Sequence, residues 1–269
     1  MIKRLFIAAM VIAALSEVSL HGQKSLERDQ PERLFEEGMF NYERGYYGLA
    51  RDLFGQTRSK AGSGHEVLQS EASFYEALSA SRIENSDAAY LLEKHLEEFP
   101  QSRHLSHAYF RLGELAQDNN RQRPALRWFE KVDPADLDRE VRYAYYYKAG
   151  YAYLMEEDYV TASRLLANVK DSDSKYSVPA TYYYAHIRYA EGDHEAALRT
   201  FERIRHEPGF NTVIPYYIAQ IYYMQGNYDR AIEYGTPLMA DAKGVMKSDL
   251  ARVLGDSYFA KAQYSQAIP

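Results

Sequence analysis

His104 and His107 stand three residues apart, a spacing that brings two imidazoles to one helix face where a third ligand could complete a metal site. No carboxylate or further histidine in the sequence supplies that ligand, so a solvated helix start is the competing reading. The phrases "HEVL" at His65 and "HEAA" at His194 open like a zinc-protease helix but lack its second histidine. Glu36/Glu37, Glu97/Glu98 and Glu156/Glu157 are adjacent carboxylates. Neighbours on a helix diverge by about 100°, so these pairs form no acid/base couple and read as exposed helix ends. "KAGSGHE" (residues 60–66) is a Gly/Ser loop with no strand before it, and no nucleophile elbow or dinucleotide fingerprint occurs. The sequence therefore offers no catalytic, cofactor-binding or metal-binding residue, and the expectation is a protein without enzymatic activity.

Tyrosine is the unusual component: 26 residues, against 11 Phe and one Trp in a chain of 269. With only nine prolines, this suggests packed helices whose phenol tips reach water or polar partners. Hydrophobic residues make up 46% of the chain, enough for a substantial core. The formal charge is −6 and no long basic run occurs, which argues against a nucleic-acid partner. There are no cysteines, so disulfides, thiolate metal sites and a cysteine nucleophile are excluded together.

The first 22 residues read as a signal peptide: Lys3 and Arg4, then the apolar run Leu5 to Leu15, then small and polar residues before "HGQ" at His21. An eleven-residue run is too short to span about 30 Å of hydrocarbon as a helix. No cysteine follows it to accept a lipid. Cleavage removes two positive charges and one negative one, leaving −7. The mature chain is expected to be exported, in the periplasm or envelope of a Gram-negative bacterium, and neither a lipoprotein nor an integral membrane protein. Residues 23–33 read as a short linker.

From residue 34 to 269 one phrase recurs. "QGNYDRAIEY" at Gln225 has relatives in "ERGYYGLARDLF" at Glu43, "EEDYVTASRLL" at Glu156, "EGDHEAALRTF" at Glu191 and "KAQYSQAIP" at Lys261. "ENSDAAYLL" at Glu84 and "NNRQRPALRWF" at Asn119 are weaker copies. The aligned alanines are Ala50, Ala88, Ala125, Ala162, Ala197, Ala231 and Ala267, spaced by 38, 37, 37, 35, 34 and 36 residues. Twelve residues before most of them lies a small residue: Gly38, Gly113, Gly150, Ala185, Ala219 and Gly255, with Ala77 eleven before in the second repeat. Two antiparallel helices approach closely where both present small side chains, so small residue and alanine are expected to meet at the crossing. An aromatic or leucine four residues after the alanine fills the space beneath. Each hairpin buries its apolar face only by stacking on the next.

These residues resemble the tetratricopeptide repeat, most closely over 146–169 and 218–231. The resemblance implies an all-α, right-handed superhelical solenoid of antiparallel helix pairs, about six and a half repeats long. "LEEFPQSRHLSHAYFRLGELA" at Leu96 further resembles the subgroup found in bacterial cell-envelope proteins, such as the outer-membrane assembly lipoprotein and the Tol-Pal-associated coordinator. In this repeat family the first helices line a groove, with positions three before and one and four after the small residue facing a ligand. Carried over, they are Phe35, Met39 and Tyr42; Phe110, Glu114 and Gln117; Tyr147, Tyr151 and Leu154; Tyr182, His186 and Tyr189; Tyr216, Gln220 and Tyr223; and Arg252, Asp256 and Phe259. Phe35 and Met39 cannot form the Lys/Asn carboxylate clamp of chaperone-tail binders. Many of the tyrosines could equally pack between adjacent helices.

The function expected is a protein–protein interaction scaffold of the cell envelope, holding a peptide or protein in a tyrosine-rich groove, in assembly or secretion. The alternative is the exported docking or sensor region of a longer signalling protein or enzyme. The seventh repeat is incomplete at Pro269, which favours continuation of the native chain. Its exposed apolar edge is also a candidate for self-association.

Overall fold

A computed structural model describes residues 30–267. The signal-peptide reading and most of the linker lie outside the described residues, as do the last two positions. The described residues contain fourteen α-helices: α1 Pro31–Glu43, α2 Tyr47–Lys60, α3 Glu66–Arg82, α4 Ala88–Glu98, α5 Leu105–Asp118, α6 Gln122–Phe129, α7 Arg139–Met155, α8 Tyr159–Ala167, α9 Ser177–Ala190, α10 His194–Ile204, α11 Val213–Met224, α12 Tyr228–Gly235, α13 Gly244–Ala260 and the four-residue α14 Tyr264–Ala267. They fall into two compact units, divided after Asp136, the first holding α1–α6 and the second α7–α14. Within each unit, odd-numbered helices pack on the even-numbered helices that follow them.

The turn inside every hairpin carries one residue in the left-handed region. These are Gly45, Glu84, Asn120, Glu157, Gly192, Gly226 and Ala262, each five residues before the repeat's alanine, or four in the second repeat. Backbone and sequence thus share one register. Glycine takes that conformation freely, whereas Glu157 at φ 62° and Ala262 at φ 59° carry a Cβ into it. The next helix is then capped where the sequence provides the side chain. Asp158 accepts a hydrogen bond from the Thr161 N–H at 3.0 Å, Asp193 from Ala196 at 3.1 Å and Asn227 from Arg230 at 3.3 Å.

Ala50, Ala88, Ala125, Ala162, Ala197 and Ala231 are all buried, and so are Phe54, Leu92, Phe129, Leu166 and Phe201 four residues on. The crossing differs in one respect from the expectation of small residue against alanine. A Cβ on Gly38 would lie 2.6 Å from Phe54 Cε1, one on Gly113 2.3 Å from Phe129 Cε1, and one on Gly150 2.9 Å from Leu166 Cγ. The small residue makes room for the large side chain sixteen positions later, and the alanine lets that helix come close enough to deliver it. The sixth repeat has Gly235 at the large position, where Leu254 and Leu250 of α13 fill the space.

Candidate functional site

In the first unit the predicted groove residues Phe35 and Tyr42 turn to a common neighbour, Tyr75 of α3, with ring centroids 6.1 and 5.5 Å from it. Phe35 also packs on Phe54, so these rings join helices rather than stand clear of them. Phe110 is only 5% exposed and packs on Phe129, which places it in the core instead of on an open face. Tyr75 escaped the sequence reading because it stands two before Ala77, a position outside the three carried over from the repeat family.

His104 is not at a solvated helix start. Its ring stacks on Phe74 at 4.1 Å with the planes 3° apart, and its Nε2 lies 3.0 Å from Glu71 Oε2. Arg103 donates to the same carboxylate oxygen at 2.7 Å. Burial alone would raise the Glu71 pKa, but the bonds from Arg103 and His104 hold it below the usual carboxylate range. Beside it, His95 is fully buried with Nε2 3.1 Å from Ser102 Oγ, and burial, aided by His104 and Arg58, lowers its pKa to about 4. Ser102 Oγ in turn accepts the His104 backbone N–H at 3.1 Å, an arrangement that fixes the start of α5. The adjoining cleft of about 500 Å³ is lined by Val67, Glu71, Glu98, Phe99, Pro100 and Arg103 among others. Of its three carboxylates, Glu71 and Glu98 are engaged by arginines, and Glu66 is the third. Among the described residues no group of three or more His, Asp or Glu side chains could hold a metal ion.

The second unit brings its predicted residues together. Tyr189 on α9 donates to Gln220 Oε1 on α11 at 2.8 Å, and Gln220 Nε2 donates to Tyr216 OH at 2.7 Å. Tyr216 OH donates onward to Asp249 Oδ2 on α13 at 2.8 Å, and Tyr223 OH reaches Asp256 Oδ2 at the same distance. A rule emerges: the tyrosine four after the small residue bonds the polar side chain one after it in the next repeat. Tyr189–Gln220 and Tyr223–Asp256 obey it. Between α7 and α9 the corresponding pair is Leu154 and His186, and that rung is missing. Leu154 is buried, and His186 Nδ1 is buried without a hydrogen-bond partner. Burial lowers the His186 pKa, so its ring is neutral near pH 7.

Around the gap the rings of α7 and α9 crowd together. Tyr147 stacks on Tyr176 at 5.2 Å, Tyr151 lies 5.1 Å from Tyr183, and His186 stands 5.5 Å edge-on to Tyr217. Tyr182 packs against Phe210 at 5.1 Å. Tyr183 and Tyr217 were missed by the sequence reading, yet the signal was there: Tyr75, Tyr183 and Tyr217 all stand two before the small residue. At α13 the face changes character, with Arg252 and Asp256 exposed and Phe259 65% exposed beside Tyr264.

Residues 216–234 match the family model described as "Tetratricopeptide repeat". That stretch is the sixth of seven helix hairpins in one register, and the chain has the fold of tetratricopeptide-repeat proteins. The fold is shared with the C-terminal part of a tetratricopeptide-repeat-containing protein from Cytophaga hutchinsonii, at 17% identity and TM-score 0.60, over 88% of this chain and 93% of that one. A tetratricopeptide-repeat protein from Parabacteroides merdae matches at 14% identity and TM-score 0.53, over 88% and 89%. The third is a signal-transduction ATPase with numerous domains, bearing a tetratricopeptide-repeat sensor, from Pyrococcus horikoshii. It matches at 18% identity and TM-score 0.54, over 87% of this chain and 39% of that one. No curated protein matches in sequence. The tetratricopeptide repeats here form a scaffold of the kind that binds other proteins, and no described helix is long and apolar enough to cross a membrane.

Proposed function

We propose that this chain is an exported, non-enzymatic scaffold of the bacterial cell envelope that holds a protein or peptide against the first-helix face of its second unit. The carrying observation is the set of half-buried rings on α7 and α9, Tyr147, Tyr151, Tyr182 and Tyr183, beside a ladder of hydrogen bonds that fixes their neighbours. Large rigid aromatics give contact area at little rotamer cost, and phenols bond peptide backbones. The charged N-terminus followed by the apolar run Leu5 to Leu15 supports export. A photo-crosslinking residue at position 151, in chain purified with its native envelope fraction, tests the reading. The expected result is a discrete protein adduct from position 151 and none from position 160, where Val160 is exposed on α8. No adduct at 151, or equal adducts at both positions, overturns it.

A second reading rests on the Pyrococcus horikoshii protein, in which repeats of this fold serve as the sensor of a larger ATPase. Here the solenoid would be the docking or sensing region of a longer signalling protein. An intact mass measured from native envelope separates the two: a species near residues 23–269 refutes the second reading, and a much larger one supports it.

A further inference from the structure

The ring cluster on α7 and α9 is built mainly of phenols. The electrostatic neighbours that raise the Tyr147 and Tyr183 pKa values, after burial, are other phenols, and only burial acts on His186. A cationic ligand would lose its hydration here and meet Lys175, whose Nζ lies 5.2 Å from the centroid of the Tyr176 ring that stacks on Tyr147. The hydroxyls differ along the face. Those of Tyr189, Tyr216 and Tyr223 are committed to Gln220, Asp249 and Asp256. Those of Tyr147, Tyr151 and Tyr183 make no hydrogen bond among the described residues and are not buried. Three neutral donors without a partner among the described residues thus stand among aromatic faces, beside the missing rung. Donors call for carbonyl oxygens, and ring faces call for flat apolar groups that bring no unsatisfied N–H. A polyproline II strand supplies both, and one of its turns advances about 9 Å.

Taking the second-unit face as the binding site, we infer that its α7–α9 portion selects an uncharged, proline-rich extended segment, whose carbonyls accept from Tyr147, Tyr151 and Tyr183. The repeats beyond, locked by their own ladder, act as a rigid wall.

The test is fluorescence anisotropy of a labelled decaproline with the full chain, against (Gly-Ser)5 and (Lys-Pro)5 peptides of equal length. Decaproline is expected to saturate, and both other peptides to bind at least about tenfold more weakly. Y151F and Y183F keep the ring and lose the donor, weakening decaproline by about fivefold each. Y223F, whose hydroxyl already serves Asp256, stays within about twofold. Decaproline binding no tighter than (Gly-Ser)5, or Y223F losing as much as Y151F, overturns the inference. If position 151 crosslinks a protein while decaproline fails, the ligand class alone is wrong. If the crosslink also fails, the site itself falls.

Discussion

Gly113→Ala isolates the close approach on which the hairpins depend. The new Cβ would stand 2.3 Å from Phe129 Cε1, 2.5 Å from Cδ1 and 2.9 Å from Cζ, against an ordinary carbon–carbon contact of about 3.5–4.0 Å. Phe129 is 1% exposed, so its ring has nowhere to turn and α5 must retreat from α6 by about an ångström. Overpacking of this kind costs about 1–3 kcal/mol, and the upper half of that range fits a clash with three ring atoms. Alanine's helix propensity returns about 1 kcal/mol, leaving a net loss of about 1–2 kcal/mol. Gly255→Ala is the matched control, because its Cβ meets only the Ala267 carbonyl, at 3.3 Å. That variant should be neutral or gain up to about 1 kcal/mol. Urea unfolding followed by circular dichroism reads both, with the midpoint lowered for Gly113→Ala and unchanged or raised for Gly255→Ala. A second change, F129L, should recover part of the Gly113→Ala loss, since Gly150 already faces a leucine. If Gly113→Ala is as stable as the parent, the account of glycine accommodating the large residue is wrong.

Three further outcomes follow from particular residues. Glu157→Gly, at a turn held at φ 62°, should stabilise by about 0.5–1 kcal/mol in the same urea assay, and a loss would show that the left-handed turn is not strained. His95, with its pKa lowered from 6.5 to about 4, is buried neutral. The unfolded chain therefore binds its proton first on acidification, so stability present above about pH 6.5 is lost as pH falls towards 4. The loss should amount to about 2–3 kcal/mol, and H95L should abolish this part of the slope. Glu71 adds a decline at lower pH, as its ionised form is the one bonded in the folded state. Tyr216→Phe removes the acceptor for buried Gln220 and the donor to Asp249, and should cost about 1–3 kcal/mol with faster hydrogen exchange in α11 and α13.

The repeat was legible because it is written twice, once in side chains and once in backbone. The seven alanines marked the second helices, and the left-handed residues of the turns fall at a constant offset from them. What the sequence hid was pairing at a distance. Gly113 and Phe129 are sixteen residues apart and both visible, but only the crossing geometry shows that one exists to seat the other. His104 looked like a surface residue because nothing local reveals Phe74, thirty positions earlier, lying flat against it. The candidate groove residues lie close together in the second unit, whereas in the first Phe110 is buried in the core, for one reason. Positions three before the small residue face outward only where the next helix leaves them room, and Phe110 is given none.

Tyrosine's abundance is explained by this division of labour. A phenylalanine at 189, 216 or 223 would fill the same volume, but the phenol reaches the neighbouring repeat's Gln220, Asp249 or Asp256 and ties first helix to first helix. Each such bond is worth only about 1 kcal/mol net, yet it acts between repeats, where a solenoid has few other specific contacts. The same residue type at 147, 151 and 183 has no such neighbour, and on the proposed function its hydroxyl is left for a ligand. On that proposal one residue type serves as mortar and as binding surface. What separates the two roles is a single replacement: Leu154 stands where the later repeats have Tyr189 and Tyr223, and it leaves His186 without its rung. Leu154→Tyr would supply the missing hydroxyl. It should stabilise the α7–α9 junction while weakening whatever binds there, a trade that a purely structural role for these tyrosines does not predict.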